Sequence, residues 1–149
     1  SLACKVAGIH WWYGTQSHAA EMAAGYNNAG HDDTYDKIAK MLKKYDVIFD
    51  FTCLEMYNLD QPESARCEPE NLVRQVLTAV ARHGLRFAGE NALPRYDQKA
   101  YQKIENVYKE AGSMGIAFTY LRFTDDLFRW WNFWTFSSFV QRMKPKSRL

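Results

Sequence analysis

The chain has 149 residues, of which 47% are hydrophobic and 24% charged, with a formal net charge of +2. This length suits one domain, and the hydrophobic content excludes a disordered chain. The small net charge and the lack of an apolar run of about 20 residues predict neither a nucleic-acid nor a membrane partner. Three cysteines without a CxxC pair suggest neither a disulfide framework nor a zinc site.

The first predicted unit is a strand over residues 4–9, a long loop, and a helix over residues 35–44. In this helix Ile38, Met41 and Leu42 follow i, i+3, i+4 spacing, which predicts one apolar stripe.

The second unit is a strand over residues 47–51 and a helix that begins at Pro69, a residue suited to a helix's first turn. The helix is predicted to end at the stop signal formed by His83 and Gly84. Its apolar stripe consists of Leu72, Val73, Val76, Leu77 and Val80.

The third unit is a strand over residues 85–88 and a helix over 98–111 that Gly112 closes as a left-handed cap. The fourth is a strand over residues 116–121 and a helix over 131–143. This last helix is predicted to place Phe133, Phe136, Phe139, Val140 and Met143 on one face.

Four successive βα units predict an α/β fold with a parallel sheet covered by helices on its faces. Such units fit either a small open doubly wound sheet or half of an eight-stranded barrel. Polar residues near the strands or just after their C-terminal ends favour the barrel, because barrel enzymes place their chemistry there. These residues are Lys5, His10, Thr52, Glu55, Glu90, Asn91 and Arg122.

Four motifs at these strand ends carry a family resemblance. The segments KVAGIHWWY, FTCLEM, GENALPRYD and FTYLR, in this order and spacing, resemble the plant β-amylases of glycoside hydrolase family 14. The resemblance implies that residues 1–149 form the C-terminal half, about strands 5 to 8, of a single (β/α)8 TIM barrel without an internal domain boundary. It also implies inverting exo-hydrolysis of α-1,4-glucan (starch) from nonreducing ends, with release of β-maltose.

The resemblance assigns the general base to Glu90 of GENAL. An inverting hydrolase needs a second carboxyl group, the general acid, about 6.5–9.5 Å away. The family takes its acid from the fourth strand of the complete barrel, outside this chain, so the chain alone is expected to be inactive. FTCLEM corresponds to the family's mobile inner loop, in which Thr52 is the position that supports the catalytic water.

The remaining site positions follow from the same resemblance. The substrate-binding positions are Lys5, His10, Thr52, Asn91, Ala92 and Arg122, and no metal or cofactor is implied. One departure lies close to them, since Asp50 stands where active members usually have Asn before FTC.

Several residues have a structural interpretation that competes with a chemical one. Glu55 is expected to hold the inner loop by hydrogen bonds, and Cys53 to be a structural thiol. His18 and Glu21 have metal-ligand spacing but lack a third ligand. The aromatic cluster of Trp130, Trp131, Phe133 and Trp134 is expected to pack against the other half of the barrel.

Two functions remain open from the sequence. The first is an active β-amylase whose partners are α-1,4-glucan or maltose and the complementary N-terminal half of the barrel. The second is a catalytically inactive β-amylase-like protein that binds glucan or regulates starch metabolism. An unrelated open α/β binding module is a weaker alternative. The family resemblance leaves both plastid and cytosol as the compartment.

Overall fold

The computed structural model describes residues 1–16, 21, 23 and 33–144. The strands in these parts of the chain are β1 (Ala3–Val6), β2 (Ile48–Phe51), β3 (Phe87–Glu90) and β4 (Gly115–Thr119). The α-helices are α1 (Thr34–Lys44), α2 (Pro69–His83), α3 (Gln98–Ala111) and α4 (Trp130–Met143) in the same parts of the chain. Short 3₁₀ turns cover Asn58–Asp60, Glu63–Ala65, Gly112–Met114 and Asp125–Phe128.

The strands form one parallel sheet in the order β1-β2-β3-β4. Each strand therefore pairs with the next strand in the chain, and a helix connects every pair. A doubly wound sheet would instead reverse its strand order at a switch point. The observed order confirms the predicted α/β architecture of consecutive βα units and favours a barrel segment over the open sheet.

Local signals in the sequence set the helix ends. The side chains of Asp33 and Asp97 accept hydrogen bonds of 3.0 and 2.9 Å from backbone N–H groups in the first turns of α1 and α3. Gly84 ends α2 in the left-handed conformation, with φ 60° and ψ 44°. Gly112 ends α3 with φ 56°, as predicted, but its ψ of −131° lies outside the left-handed helical region. Both glycines adopt a positive φ that a side chain would disfavour.

The core lies between the helices and one face of the sheet. Phe49, Phe51 and Phe87 are buried there, and the predicted stripe of α2 is buried as a whole. The prediction for α1 was wrong at Met41, which is exposed, because Tyr35, Ala39 and Leu42 form the buried stripe. In α4, Phe139 is buried as predicted, whereas Phe133 and Val140 are exposed.

The first strand is shorter than the sequence predicts. β1 ends at Val6, and the following segment bonds to a helix instead of to the sheet. The Ile9 N–H donates to the hydroxyl oxygen of Tyr35 at 3.3 Å, and that hydroxyl donates to the Ala7 carbonyl at 3.3 Å. The strand ladder thus gives way to contacts with α1. The third strand has the predicted length but is shifted by two residues, since β3 covers Phe87–Glu90 and not residues 85–88.

Two edges of the sheet are open in the part of the chain that the structure describes, because β1 and β4 each pair on one side only. Exposed apolar side chains lie on β4, on the segment after it and on α4; among them are Ile116, Phe123, Phe128, Trp130 and Trp131.

None of the described helices is both long and apolar enough to cross a membrane.

Candidate active site

The charged side chains of three neighbouring strands share one face of the sheet. Lys5 is in register with Asp50, and Asp50 with Ala88, so these side chains point to the same face. Glu90 follows Ala88 by two residues and therefore points the same way. The opposite face carries the buried phenylalanines of the core. The sheet therefore presents a charged face that the helices do not cover.

Lys5 and Glu90 form an ion pair on this face. The Lys5 Nζ lies 2.7 Å from the Glu90 Oε1. The Glu90 side chain is 4% exposed, whereas the Lys5 side chain is 53% exposed. A buried carboxylate is costly unless it is paired, and this ammonium supplies the counter-charge. The half-exposed lysine also keeps donors free for a ligand, because an ammonium has three.

Asp50 adds a second negative charge beside this pair. Burial raises the pKa of Asp50, the charge of Glu90 raises it further, and Lys5 opposes both effects. The Asp50 Oδ1 is buried and has no hydrogen-bond partner among the described residues. The neutral form of Asp50 is therefore favoured in comparison with an exposed aspartate.

Asn91 directly follows Glu90, and its side chain is buried. Its Nδ2 donates to the Leu93 carbonyl at 2.9 Å, and its Oδ1 accepts from the Leu121 N–H at 2.6 Å. The amide thus links the segment after β3 to the segment after β4. The predicted substrate contact of Asn91 would therefore have to form beside these two bonds or replace one of them.

Glu55 connects the inner loop to the same segment. Its carboxylate accepts hydrogen bonds from the Ala92 N–H at 2.9 and 3.0 Å and from the Leu93 N–H at 2.6 Å. Burial raises the pKa of Glu55, and the hydrogen bonds from the backbone oppose this shift. This geometry agrees with the expected structural role of Glu55.

Arg122 lies at the other side of this segment. Its Nε donates to the Ala92 carbonyl at 3.0 Å, and the rest of the side chain is exposed. The predicted positions Ala92 and Arg122 are therefore in direct contact, while the described bond of Arg122 goes to the backbone and not to Glu90.

The inner loop begins directly after β2. Thr52 is half-buried, and Cys53 is buried with a φ of 59°. A positive φ is uncommon for a residue other than glycine and is often found at functional or switching sites. Burial raises the pKa of the Cys53 thiol, so the thiolate that a nucleophile needs is disfavoured.

The loop also packs closely on β3. The Leu54 N–H faces the Glu90 carbonyl at 3.4 Å. A Cβ at Gly89 would lie 2.2 Å from the Leu54 Cδ2, so only glycine lets the loop approach the strand this closely.

His10 lies after β1, beside the rim of the sheet. Its backbone carbonyl accepts from the Glu68 N–H at 2.9 Å, and its ring packs edge-on against Trp11 with centroids 5.2 Å apart. Burial lowers the pKa of His10, which favours a neutral imidazole. The His10 Nδ1 is buried and has no hydrogen-bond partner in the described parts of the chain. A ligand hydroxyl could satisfy this atom.

The sequence did not single out Tyr96, which positions the segment around Arg122. The Tyr96 hydroxyl donates to the Arg122 carbonyl at 2.8 Å and accepts from the Thr124 N–H at 3.0 Å. The motif GENALPRYD contains this tyrosine, but nothing in its spacing indicates its partners.

Metal binding finds no support in the described residues, which contain no group of three His, Cys, Asp or Glu side chains suited to a metal ion. Of the pair with metal-ligand spacing, His18 lies outside the described residues.

Consecutive parallel βα units with charged side chains at the C-terminal ends of the strands are typical of barrel-type catalytic domains. The family model described as Glycosyl hydrolase family 14 matches residues 1–149. The chain belongs to this family, as its motifs predict.

Individual relatives agree with this membership. β-Amylase 2, chloroplastic, of Oryza sativa subsp. japonica is 50% identical over 144 residues, which are 95% of this chain and 26% of that protein. β-Amylase of Glycine max is 48% identical over 152 residues, covering 95% of this chain and 30% of that protein. The chain thus spans less than a third of the length of these two relatives.

A solved structure is similar as well. The catalytic domain of β-amylase from Paenibacillus polymyxa superposes with a TM-score of 0.72 and 27% identity, covering 96% of this chain and 34% of that one. The four βα units therefore correspond to about a third of a barrel-type catalytic chain, which confirms the predicted fold class.

Proposed function

We propose that the protein containing this chain is an active β-amylase, which removes β-maltose from the nonreducing ends of α-1,4-glucan with inversion. Residues 1–149 form the C-terminal half of its single catalytic barrel and supply the general base. The observation that carries this proposal is the Glu90 carboxylate, 4% exposed and 2.7 Å from Lys5, at the last residue of a barrel strand.

Glu90 has the surroundings that a general base requires. A base must be ionised to accept a proton, and the Lys5 ammonium supplies a counter-charge 2.7 Å from the carboxylate. In the proposed reaction Glu90 takes a proton from a water molecule, which attacks the anomeric carbon from the face opposite the leaving oxygen. The glycosidic bond breaks, and the leaving oxygen receives a proton from a second carboxyl group.

Glu55, which follows Thr52 by three residues in the inner loop, does not suit the role of this acid. Both oxygens of Glu55 accept backbone hydrogen bonds, so its carboxyl group is engaged in holding the loop. Following the family resemblance, we assign the acid to the complementary half of the barrel. This half is also the proposed partner of the open edges of β1 and β4.

The other proposed site residues orient the sugar and the water. Thr52, at the start of the inner loop, supports the attacking water. Lys5, His10 and Arg122 offer donors to glucan hydroxyls, and the buried Nδ1 of His10 has an unmet hydrogen-bonding capacity that a hydroxyl would satisfy. Asn91 and Ala92 complete the set through the segment that follows the base.

One observation favours the alternative of an inactive, glucan-binding protein. Asp50 competes with Glu90 for the same ammonium, because both carboxylates share its face of the sheet. If Lys5 turned to Asp50, Glu90 would lose its counter-charge.

The proposal is tested by following maltose release from soluble starch by the full-length protein and its Glu90→Gln variant. Removal of a general base typically costs about 10²–10⁴-fold in rate, so we expect at least a hundredfold loss. The anomeric form of the first maltose released, measured by NMR, should be β.

The matched control is Glu110→Gln on the exposed side of α3, which should keep the wild-type rate. Unchanged activity in the Glu90 variant would reject the assignment of the base. A wild-type protein that binds soluble starch but releases no maltose would instead support the alternative function.

A further inference from the structure

A groove with walls of two different chemistries lies apart from the Lys5–Glu90 pair. It runs between residues 94–98, which lead into α3, and the length of α4 from Trp131 to Arg142, and its volume is about 570 Å³. The segment that carries Asn91 and Ala92 continues directly into one of its walls. Tyr96, which lines the groove, also bonds to the Arg122 carbonyl at 2.8 Å, so the groove adjoins one of the proposed substrate-binding positions.

One wall of the groove is aromatic. Trp131 and Trp134 lie one helical turn apart on α4, and their rings stack with centroids 5.6 Å apart and an interplanar angle of 28°. Their exposures are 69% and 54%. Exposed apolar surface of this size is unfavourable in water and is typical of binding surfaces.

The facing wall is polar and held in position. The Arg95 guanidinium binds the Asp97 carboxylate through two hydrogen bonds of 3.0 and 3.1 Å and also pairs with Asp60. A further polar group lies beside the indoles on α4, where the Asn132 Nδ2 donates to the Asp126 carbonyl at 2.8 Å and its side-chain oxygen remains as an acceptor. Fixed planar groups of this kind bind hydroxyls with little loss of entropy.

The charges of the groove are balanced. Arg95 is neutralised by carboxylates, and Arg142 at the far end of the groove pairs with Glu105 at 2.8 Å. No excess of positive charge in these described residues would attract nucleic acid or an anionic lipid surface. A neutral ligand with an apolar face and many hydroxyls fits both walls.

We propose that this groove is a second glucan-binding site, in which the indole rings of Trp131 and Trp134 stack against glucose rings instead of packing against the other half of the barrel, as the sequence suggested. The Arg95 guanidinium and the Asp97 carboxylate of the facing wall, together with the Asn132 amide on α4, bind the sugar hydroxyls. A glucan held there is retained at the rim of the barrel whether or not Glu90 is catalytic. The site thus goes beyond the proposed function and shares only its substrate class.

The test measures adsorption of the full-length protein to insoluble starch granules. We expect the double variant Trp131→Ala/Trp134→Ala to adsorb about tenfold more weakly, a change that corresponds to about 1.4 kcal/mol. Its kcat/KM on maltoheptaose, which needs no anchoring to a granule, should stay within about twofold of wild type. The matched control is Trp130→Ala, on the same helix and 79% exposed but outside the groove, which should adsorb like wild type.

A second variant separates loss of the site from loss of the fold. Ser138→Arg blocks the groove without removing either indole, and we expect the same weakening of adsorption. Unchanged adsorption in both groove variants would overturn the proposal. So would an equal loss in Trp130→Ala, or a double variant that no longer folds while Ser138→Arg adsorbs normally, since the indoles would then pack against the rest of the barrel. A protein that adsorbs through the groove but releases no maltose would reject only the proposed activity.

Discussion

Glu55 provides the sharpest test of how the inner loop is held. Its carboxylate accepts hydrogen bonds from the Ala92 and Leu93 N–H groups and so connects this loop to the segment that follows Glu90. The substitution Glu55→Ala removes this connection and leaves the N–H groups of Ala92 and Leu93 without their acceptor.

The expected cost follows from those two donors. A buried donor without a partner costs about 1–3 kcal/mol. Ala92 and Leu93 are half-buried, so water replaces part of each lost bond, and the carboxylate's own cost of burial is recovered. We therefore expect Glu55→Ala to lower the free energy of unfolding by about 2–4 kcal/mol. Glu55→Gln should cost less, since its amide keeps one acceptor oxygen.

Urea unfolding of the full-length protein measures this difference, provided that the slope m is unchanged between variants. Glu110→Ala on the exposed side of α3 serves as the control and should change stability by no more than about 0.5 kcal/mol. If Glu55→Ala were as stable as this control, the carboxylate would not hold the loop. The reasoning would also fail if Glu55→Gln were less stable than Glu55→Ala.

Three further predictions concern packing, charge and the open sheet. Gly89→Ala should lower the free energy of unfolding in urea by about 1–3 kcal/mol, because its Cβ would overlap Leu54. The double variant with Leu54→Ala should lose clearly less than the sum of the two single changes. Strict additivity would refute the contact. Asp50→Asn should stabilise the protein at pH 7, whereas Asp125→Asn at an exposed position should not. The pKa of Asp50 is raised in the folded state, so its stabilising contribution is complete below the ordinary value of 3.8 and is lost as the pH rises through the raised pKa. The gain in stability from Asp50→Asn should therefore shrink towards pH 4, and a gain independent of pH would contradict this explanation. Residues 1–149 expressed alone should self-associate in sedimentation experiments, because β1 and β4 each pair on one side only in the part of the chain that the structure describes. A soluble monomer that unfolds cooperatively would disprove this.

The sequence predicted the helices better than the strands, for a physical reason. Helix ends depend on neighbours in the chain, as at Asp97 and Gly84, which cap α3 and α2. Strand ends depend on distant partners. β1 stops at Val6 because Tyr35, almost thirty residues later, binds the backbone that follows, and apolar composition does not reveal this contact.

A similar limit applies to the site. The motifs placed Lys5 and Glu90 near the same rim, but their contact depends on the register of β1 and β3 with β2. The partners of Asn91 were also beyond prediction, since its amide bonds to a backbone group thirty residues away. An asparagine in a motif shows that a polar group is needed without showing whether it faces a ligand or the backbone.

Asp50 and Glu90 share one ammonium, and their surroundings determine which carboxylate keeps it. The raised pKa of Asp50 means that burial and the charge of Glu90 together outweigh the attraction of Lys5. Lys5 is in contact with Glu90, so the pair is formed where the proposed reaction needs it.

A protonated Asp50 resembles in shape and charge the Asn that the family resemblance implies at this position. The presence of Asp50 should therefore weaken the proposed activity most at high pH, where its carboxyl group is ionised, and least in acid, where this group is neutral. Comparison of the pH profiles of kcat/KM for the wild type and Asp50→Asn would measure this effect directly, and identical profiles would show that Asp50 does not compete for Lys5.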